Sequence, residues 1–199
     1  MPTYSLHINY ASIRAKIDKA LGEDKVRRAA YKKAYDYFKR AHNTMLKQFN
    51  EHPITQEIEA GPRALNTSDT LDGYGNLFSF IGFPAEDDPI APLREMLADN
   101  VTFRQTIYRD RKWYFRVSVP SREDIEHVTD MPWEHGNSWA YAVENDISGA
   151  SHYMYKKWEA GRSGTGFQLP YENMEDLIFQ PRPYISEILA NFREKINNS

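Results

Sequence analysis

The chain of 199 residues contains no cysteine. That excludes disulfides, thiolate metal sites and cysteine nucleophiles, and it fits assembly in a reducing compartment. No stretch approaches the roughly 18 consecutive apolar residues that span a bilayer, and the opening "MPTYSLHINYASIRAK" lacks the apolar core of a signal peptide. A soluble protein without membrane contact is therefore expected. Internal repeats and low-complexity linkers are also missing. So are the usual marks of chemistry. The glycine-rich "AGRSGTGF" has neither the Lys-Ser/Thr pair nor the spacing of a phosphate loop. "RSGTG" is not a nucleophile elbow. Of the six histidines (His7, His42, His52, His127, His135, His152), no pair stands at a helical i, i+4 spacing, and none lies in a run of carboxylates spaced as metal ligands. Glu86, Asp87 and Asp88 are adjacent before Pro89, where a solvated cap explains them. The expectation is a protein that is not an enzyme and holds no cofactor and no metal.

What is present is a core-forming composition with an uneven charge. Hydrophobic residues make up 41% and charged residues 27%, enough to exclude wholesale disorder. Aromatics reach 14%, with 13 Tyr, 10 Phe and 4 Trp, a share that serves both cores and interfaces. The net charge of −3 hides a segregation. Between Arg14 and Lys47 there are 11 Lys or Arg against four acids (Asp18, Glu23, Asp24, Asp36), a balance of +7, while the remainder has 14 basic and 24 acidic residues, a balance of −10. A chain polarised in this way binds polyanions by its basic end or pairs head to tail with copies of itself.

Periodicity divides the chain. Tyr10 to Leu21 reads as a short helix ended by Gly22. From Lys25 to Phe49, the residues Val26, Ala30, Ala34, Phe38, Ala41, Met45 and Phe49 recur at spacings of 3 and 4, a helical stripe. Arg27, Arg28, Lys32, Lys39 and Arg40 are the candidate contacts for DNA or another polyanion, since phosphate neutralisation needs only cations along one face. "ITQEIEAGP" adds one or two turns, and residues 63–76 form a turn-rich loop. "LFSFIGF" reads as a buried strand or a segment packed on the core, and Ile90, Leu93 and Leu97 mark a short helix. "VTFRQTIYRDRKWYFRVSVP" alternates in two runs around "RDRK", which predicts a hairpin with one buried and one wet face. "SREDIEHV" opens with a Ser121–Asp124 capping box, "NSWAYAVENDISG" reads as a short helix or a turn-ended segment, and "ASHYMYKKW" as a weak strand. Ile185, Ile188, Leu189, Phe192 and Ile196 give a closing amphipathic helix. The fold class expected is α+β: a long N-terminal helix and a C-terminal helix packed on a small antiparallel sheet. Residues 1–199 read as a single domain with a helical part (about 10–60), an inserted loop-rich part (about 61–100) and a sheet plus closing helix (about 101–199).

Two stretches carry a resemblance. "SWAYAVENDISG" is similar to the Tyr-Ala-x-x-Val-Glu-x-Gly segment of tailed-phage neck proteins, the tail-completion or head-tail joining family, with Tyr141, Ala142, Val143 and Glu144 supplying its residue types but without the two positions that separate the family's Tyr-Ala and Val-Glu pairs. "FQPRPYISEILANF" resembles that family's Ala-Arg-Pro-Phe-Leu motif, with Arg182, Pro183 and Tyr184 on its Arg-Pro-aromatic core. The order of long helix, hairpin and final helix also corresponds. The family's Gly-Thr follows its Val-Glu pair directly, whereas here it is displaced to Gly164 and Thr165, and residues 53–100 look inserted. The resemblance implies a structural virion protein, assembled in the host cytoplasm, whose copies close into a ring of six or twelve subunits between head and tail. Its partners would be itself and other head-tail connector and tail proteins, with genomic DNA in the lumen. Interface positions implied are Arg162, Gly164 and Gly166 of the glycine-rich loop 160–168, Pro181, Arg182, Pro183 and Tyr184, and Trp139 and Glu144. Pro181 and Pro183 would restrict the approach to the last helix, since each fixes its own φ and extends the residue before it. The alternative is a nucleic-acid-binding accessory protein acting through the basic helix 14–47.

Overall fold

The computed structural model describes residues 10–21, 24–73, 75–109, 112–132, 134–145 and 179–198, and they form an α+β fold. Where the sequence reads as one domain, the residues group into two compact units. The first holds residues through Arg40 together with Thr102–Ser118, and the second holds Ala41–Val101 and Val119–Ser199.

In the first unit, α1 (Tyr10–Leu21) is followed by α2 (Asp24–Glu51), whose residues through Arg40 belong here. A hairpin of β1 (Thr102–Arg109) and β2 (Lys112–Ser118) completes it. Phe103 and Phe115 stack on the inner face of the hairpin at 5.4 Å. Tyr31, Tyr35 and Phe38 of α2 meet Phe103 with ring centroids 5.4, 5.6 and 5.3 Å away. The pairing runs Thr102 opposite Ser118, Phe103 opposite Val117, Arg104 opposite Arg116 and Gln105 opposite Phe115. A bulge then inserts one residue, so that Tyr108 faces Trp113 and Arg109 faces Lys112. Because side chains alternate with a period of two, the extra residue moves Tyr108 to the inner face and Arg109 to the outer one.

The second unit contains the main core. It takes in the last part of α2, α3 (Pro53–Glu59), a 3-10 turn at Gly61–Arg63, α4 (Leu77–Ile81), α5 (Ile90–Asp99), α6 (Arg122–Val128), the short ladder of β3 (Asp130–Met131) and β4 (Glu134–Ser138), α7 (Trp139–Asn145) and α8 (Ile185–Asn197). The stripe on α2 sinks progressively. Val26, Ala30 and Ala34 are half-buried, Phe38 is 7% exposed, and Ala41, Met45 and Phe49 are at 1% or less. The amphipathic period is the same throughout; only the surroundings of the helix change.

The predicted capping box is present: Ser121 Oγ accepts from the Asp124 amide at 3.1 Å, and Asp124 Oδ2 accepts from the Ser121 amide at 2.8 Å. The Asp124 carboxylate accepts from the Ser121 amide and also from Ser121 Oγ, at 2.7 Å, and these two bonds favour its ionised form and lower its pKa. "LFSFIGF" is a helix rather than a strand. Asn76 caps its start by accepting from the Ser79 amide at 2.9 Å, and Gly82 closes it at φ 88°, a left-handed position suited to glycine. A short apolar run has no period to distinguish the two states, so the caps decided. Residues 61–100, expected as an inserted loop-rich part, supply Leu71, Leu77, Phe78, Ile81, Phe83, Ile90, Leu93 and Leu97 to the core, all at 2% exposure or less. The weak strand expected at "ASHYMYKKW" and the glycine-rich loop lie outside the described residues. Among the described residues no helix is long and apolar enough to cross a membrane.

Candidate interface and polyanion-binding surfaces

Residues 179–184 approach α8 in an extended course that is fastened at each step within the second unit. Phe179 stacks on Phe80 at 5.6 Å, nearly parallel. The Gln180 amide donates to the Thr70 carbonyl at 2.8 Å, and the Arg182 amide donates to the Val143 carbonyl at 3.2 Å. Arg182 Nη2 reaches the Asp69 carbonyl at 3.3 Å and its Oδ2 at 3.2 Å. Asp69 is held at φ 63°, a left-handed conformation that turns the loop toward this contact. Tyr184 Oη then shares a 2.8 Å hydrogen bond with Thr55 Oγ1 in the core, and burial raises the Tyr184 phenol pKa.

The first turn of α8 has no capping side chain of its own. Glu144, from α7, fills that role. Its Oε1 accepts from the Tyr184 amide at 3.1 Å and the Ser186 amide at 2.6 Å, and its Oε2 accepts from Ser186 Oγ at 2.5 Å. A carboxylate at a helix N-terminus satisfies orphan amides and meets the positive end of the helix dipole. The two stretches that carry the resemblance are therefore joined to each other.

This placement corrects part of the expected interface. Tyr184 is 0% and Trp139 1% exposed, so both are core side chains of the second unit. Their large aromatic area is satisfied internally: Trp139 meets Phe83 edge-on at 5.8 Å, and Tyr184 lies 4.9 Å from His52 and 6.2 Å from Phe49. Glu144 and Arg182 are half-buried and engaged within the unit, whereas Pro181 and Pro183 remain exposed. Arg162, Gly164 and Gly166 lie outside the described residues. What the outer side of the junction offers is a cleft of about 660 Å³ lined by Arg122, Tyr141, Glu144, Pro181, Pro183 and Arg193, among others. Arg122 lies 4.8 Å over the Tyr141 ring and pairs with Glu126 at 2.6 Å. Burial, then the nearby Glu144 carboxylate, raises the Tyr141 pKa.

The expected polyanion contacts are all exposed on α2, but they do not share one face. At about 100° per residue, Arg28, Lys32 and Lys39 fall within an arc of about 40°. Arg40 sits further round, with its guanidinium 6.0 Å from the Tyr37 ring, and Arg27 lies on the meridian of the apolar stripe, where it pairs with Asp24 at 2.9 Å. Sequence reasoning missed the hairpin's share of the charge. The first unit carries 15 Lys or Arg and 5 Asp or Glu, a balance of +10, against 10 and 23 in the rest of the chain, a balance of −13. The signal was readable in "FRQTIYRDRKWYFR" but could be added to the helix only once the pairing was known.

Glu57 was also missed. It is 1% exposed on α3 and organises residues 66–77: its carboxylate accepts from the Ser68 amide at 2.8 Å, the Leu77 amide at 2.7 Å and Asn66 Nδ2 at 3.0 Å. Among the described residues no group of three or more His, Asp or Glu side chains is placed to hold a metal ion. In comparisons with known protein families, with curated proteins and with solved structures, the chain matches none of them.

Proposed function

We propose that this protein is a structural component of a tailed-phage virion neck, whose copies close into a ring of six or twelve subunits joining head to tail, with DNA passing through the lumen. It performs no chemistry, and its partners are copies of itself and the adjoining head-tail connector and tail proteins. The observation that carries the reading is the junction at Glu144. The two stretches resembling the neck family meet there, and the carboxylate of one holds the first turn of the helix that follows the other. In a closed ring each subunit repeats one heterologous contact, so an error in the angle of a contact element accumulates around the circle. A helix with its start tied to the core by Glu144, Arg182 and Tyr184 suits that demand. The cleft beside it, with exposed Pro181 and Pro183 and the Arg122 and Arg193 cations, is the surface offered to a neighbour.

Native mass by light scattering across protein concentrations, followed by negative-stain imaging, tests this reading. Closed rings of six or twelve support it. A monomer at every concentration that binds duplex DNA tightly at low salt favours the second reading, a nucleic-acid-binding accessory protein acting through the helix 14–47. The exposed arc of Arg28, Lys32 and Lys39 favours that alternative.

A further inference from the structure

The outer face of the β1–β2 hairpin presents an arrangement that its own fold does not call for. The register sets Arg104 directly opposite Arg116 and Arg109 directly opposite Lys112. All four side chains are exposed. Like charges opposite one another weaken a two-stranded ribbon, and here two such pairs share one face. The second reaches that face only because the bulge between Gln105 and Tyr108 shifts Arg109 outward. Between them lie Tyr114, 48% exposed, and Ile107, 65% exposed, and among the described residues the outer face includes no acid. On α2, by contrast, Asp36 stands among the cations.

We propose that this face binds the phosphate backbone of duplex DNA without reading its sequence. Lys112 and Arg116 stand four positions apart on β2, so the two cation pairs are separated by about 13 Å at roughly 3.3 Å per residue. That separation is close to the roughly 12 Å width of the major groove, so a ribbon laid across the groove sets one pair at each rim. Each pair then meets phosphates on one rim, and between Arg104 and Arg116 the repulsion is relieved by the anion that both contact. An acidic protein surface would be met as well by cations interspersed with acids; two rows of a single sign suit a ligand that is itself of a single sign. The surface is distinct from the helix 14–47, and the proposal does not depend on ring formation.

The test uses the full chain and a fluorescein-labelled duplex of about 24 base pairs and arbitrary sequence, with anisotropy read between about 50 and 200 mM salt. The double substitution Arg104→Gln/Arg116→Gln should weaken binding about tenfold or more and make the log–log salt slope shallower by about 2, one for each phosphate no longer neutralised. Its thermal midpoint should stay level or rise, because the repulsive pair is gone. Arg104→Lys/Arg116→Lys keeps both charges and should bind nearly as the parent does. An unchanged salt slope in the Gln variant, or equal weakening in the Lys variant, overturns the proposal. So does binding to polyglutamate of matched charge as tight as to the duplex, which would assign the face to an acidic protein. If Arg28→Gln/Lys32→Gln/Lys39→Gln removes the binding while the hairpin variant retains it, the helix is the contact and the hairpin is not.

Discussion

The two units solve opposite problems with similar residues. In the second, Phe49, Trp139 and Tyr184 are at 1% exposure or less and lie in a core that also takes in helices α3, α4, α5 and α8. In the first, an aromatic cluster of Tyr31, Tyr35, Phe38, Phe103 and Phe115 joins one helix to one hairpin, and Phe38 alone among the described residues of that unit is buried. The first unit is strongly basic and the rest of the chain strongly acidic. A two-stranded ribbon has limited stability by itself, so the first unit rests on a few ring contacts under self-repelling charge. The second holds its shape by burial and by carboxylates that accept several backbone amides each. The difference teaches where change is tolerated: charge can be concentrated where little packing depends on it.

Replacing Phe49 by Ala should cost about 3–5 kcal/mol, measured by denaturant unfolding, whereas Phe103→Ala in the first unit should cost less than half as much. Equal costs would break the comparison. Next in size is Glu57→Ala. It leaves the Ser68 and Leu77 amides without their acceptor, each worth about 1–3 kcal/mol when buried. Amide hydrogen exchange should quicken across residues 66–77 in step with the fall in stability; exchange unchanged there would show that Glu57 is not the organiser.

The motif junction should respond more mildly. Glu144→Ala removes the cap supplied to α8 and should lower stability by about 1–2 kcal/mol, while Pro181→Ala/Pro183→Ala should cost about 0.4–1 kcal/mol per proline, chiefly by loosening the unfolded chain. If the proline variant also loses ring assembly while Glu144→Ala retains it, the exposed prolines contact a neighbour; if both lose it together, the angle of α8 is what assembly requires. The smallest expected effect is a pH dependence centred on His52. Its Nδ1 accepts from the Ile54 amide at 3.3 Å at the start of α3. Burial lowers its pKa below the ordinary 6.5, opposed by Glu187, a backbone hydrogen bond with Pro183 and Glu144. The unfolded chain therefore takes up the proton first as pH falls, so stability contributed by neutral His52 is present above about 6.5 and declines below it. His52→Asn, which keeps a capping acceptor, should flatten that decline in unfolding measured from about pH 7.5 to 5; an unaltered slope would place the titration elsewhere.

Much of this molecule is written locally. The stripe on α2, the capping box at Ser121, the alternation of the hairpin and the amphipathic α8 each follow from the spacing of a few residues, because helix and strand periods act over a handful of positions. The basic character of the helix was equally legible. Tertiary structure decided the rest. It supported a helix at Leu77–Ile81, where four apolar residues around Ser79 have no period of their own: beside the local Asn76 cap, Glu57 of α3 accepts from the Leu77 amide at 2.7 Å. It turned Trp139 and Tyr184 from surface candidates into core, because an aromatic side chain looks the same in sequence whether its area is covered by its own chain or by another. It brought Glu144 to α8 across about 40 intervening residues, and it set Arg104 against Arg116, a register that no local pattern encodes. Local order came from short-range preference, whereas burial, pairing and the segregation of charge into two units depended on which distant residues share space.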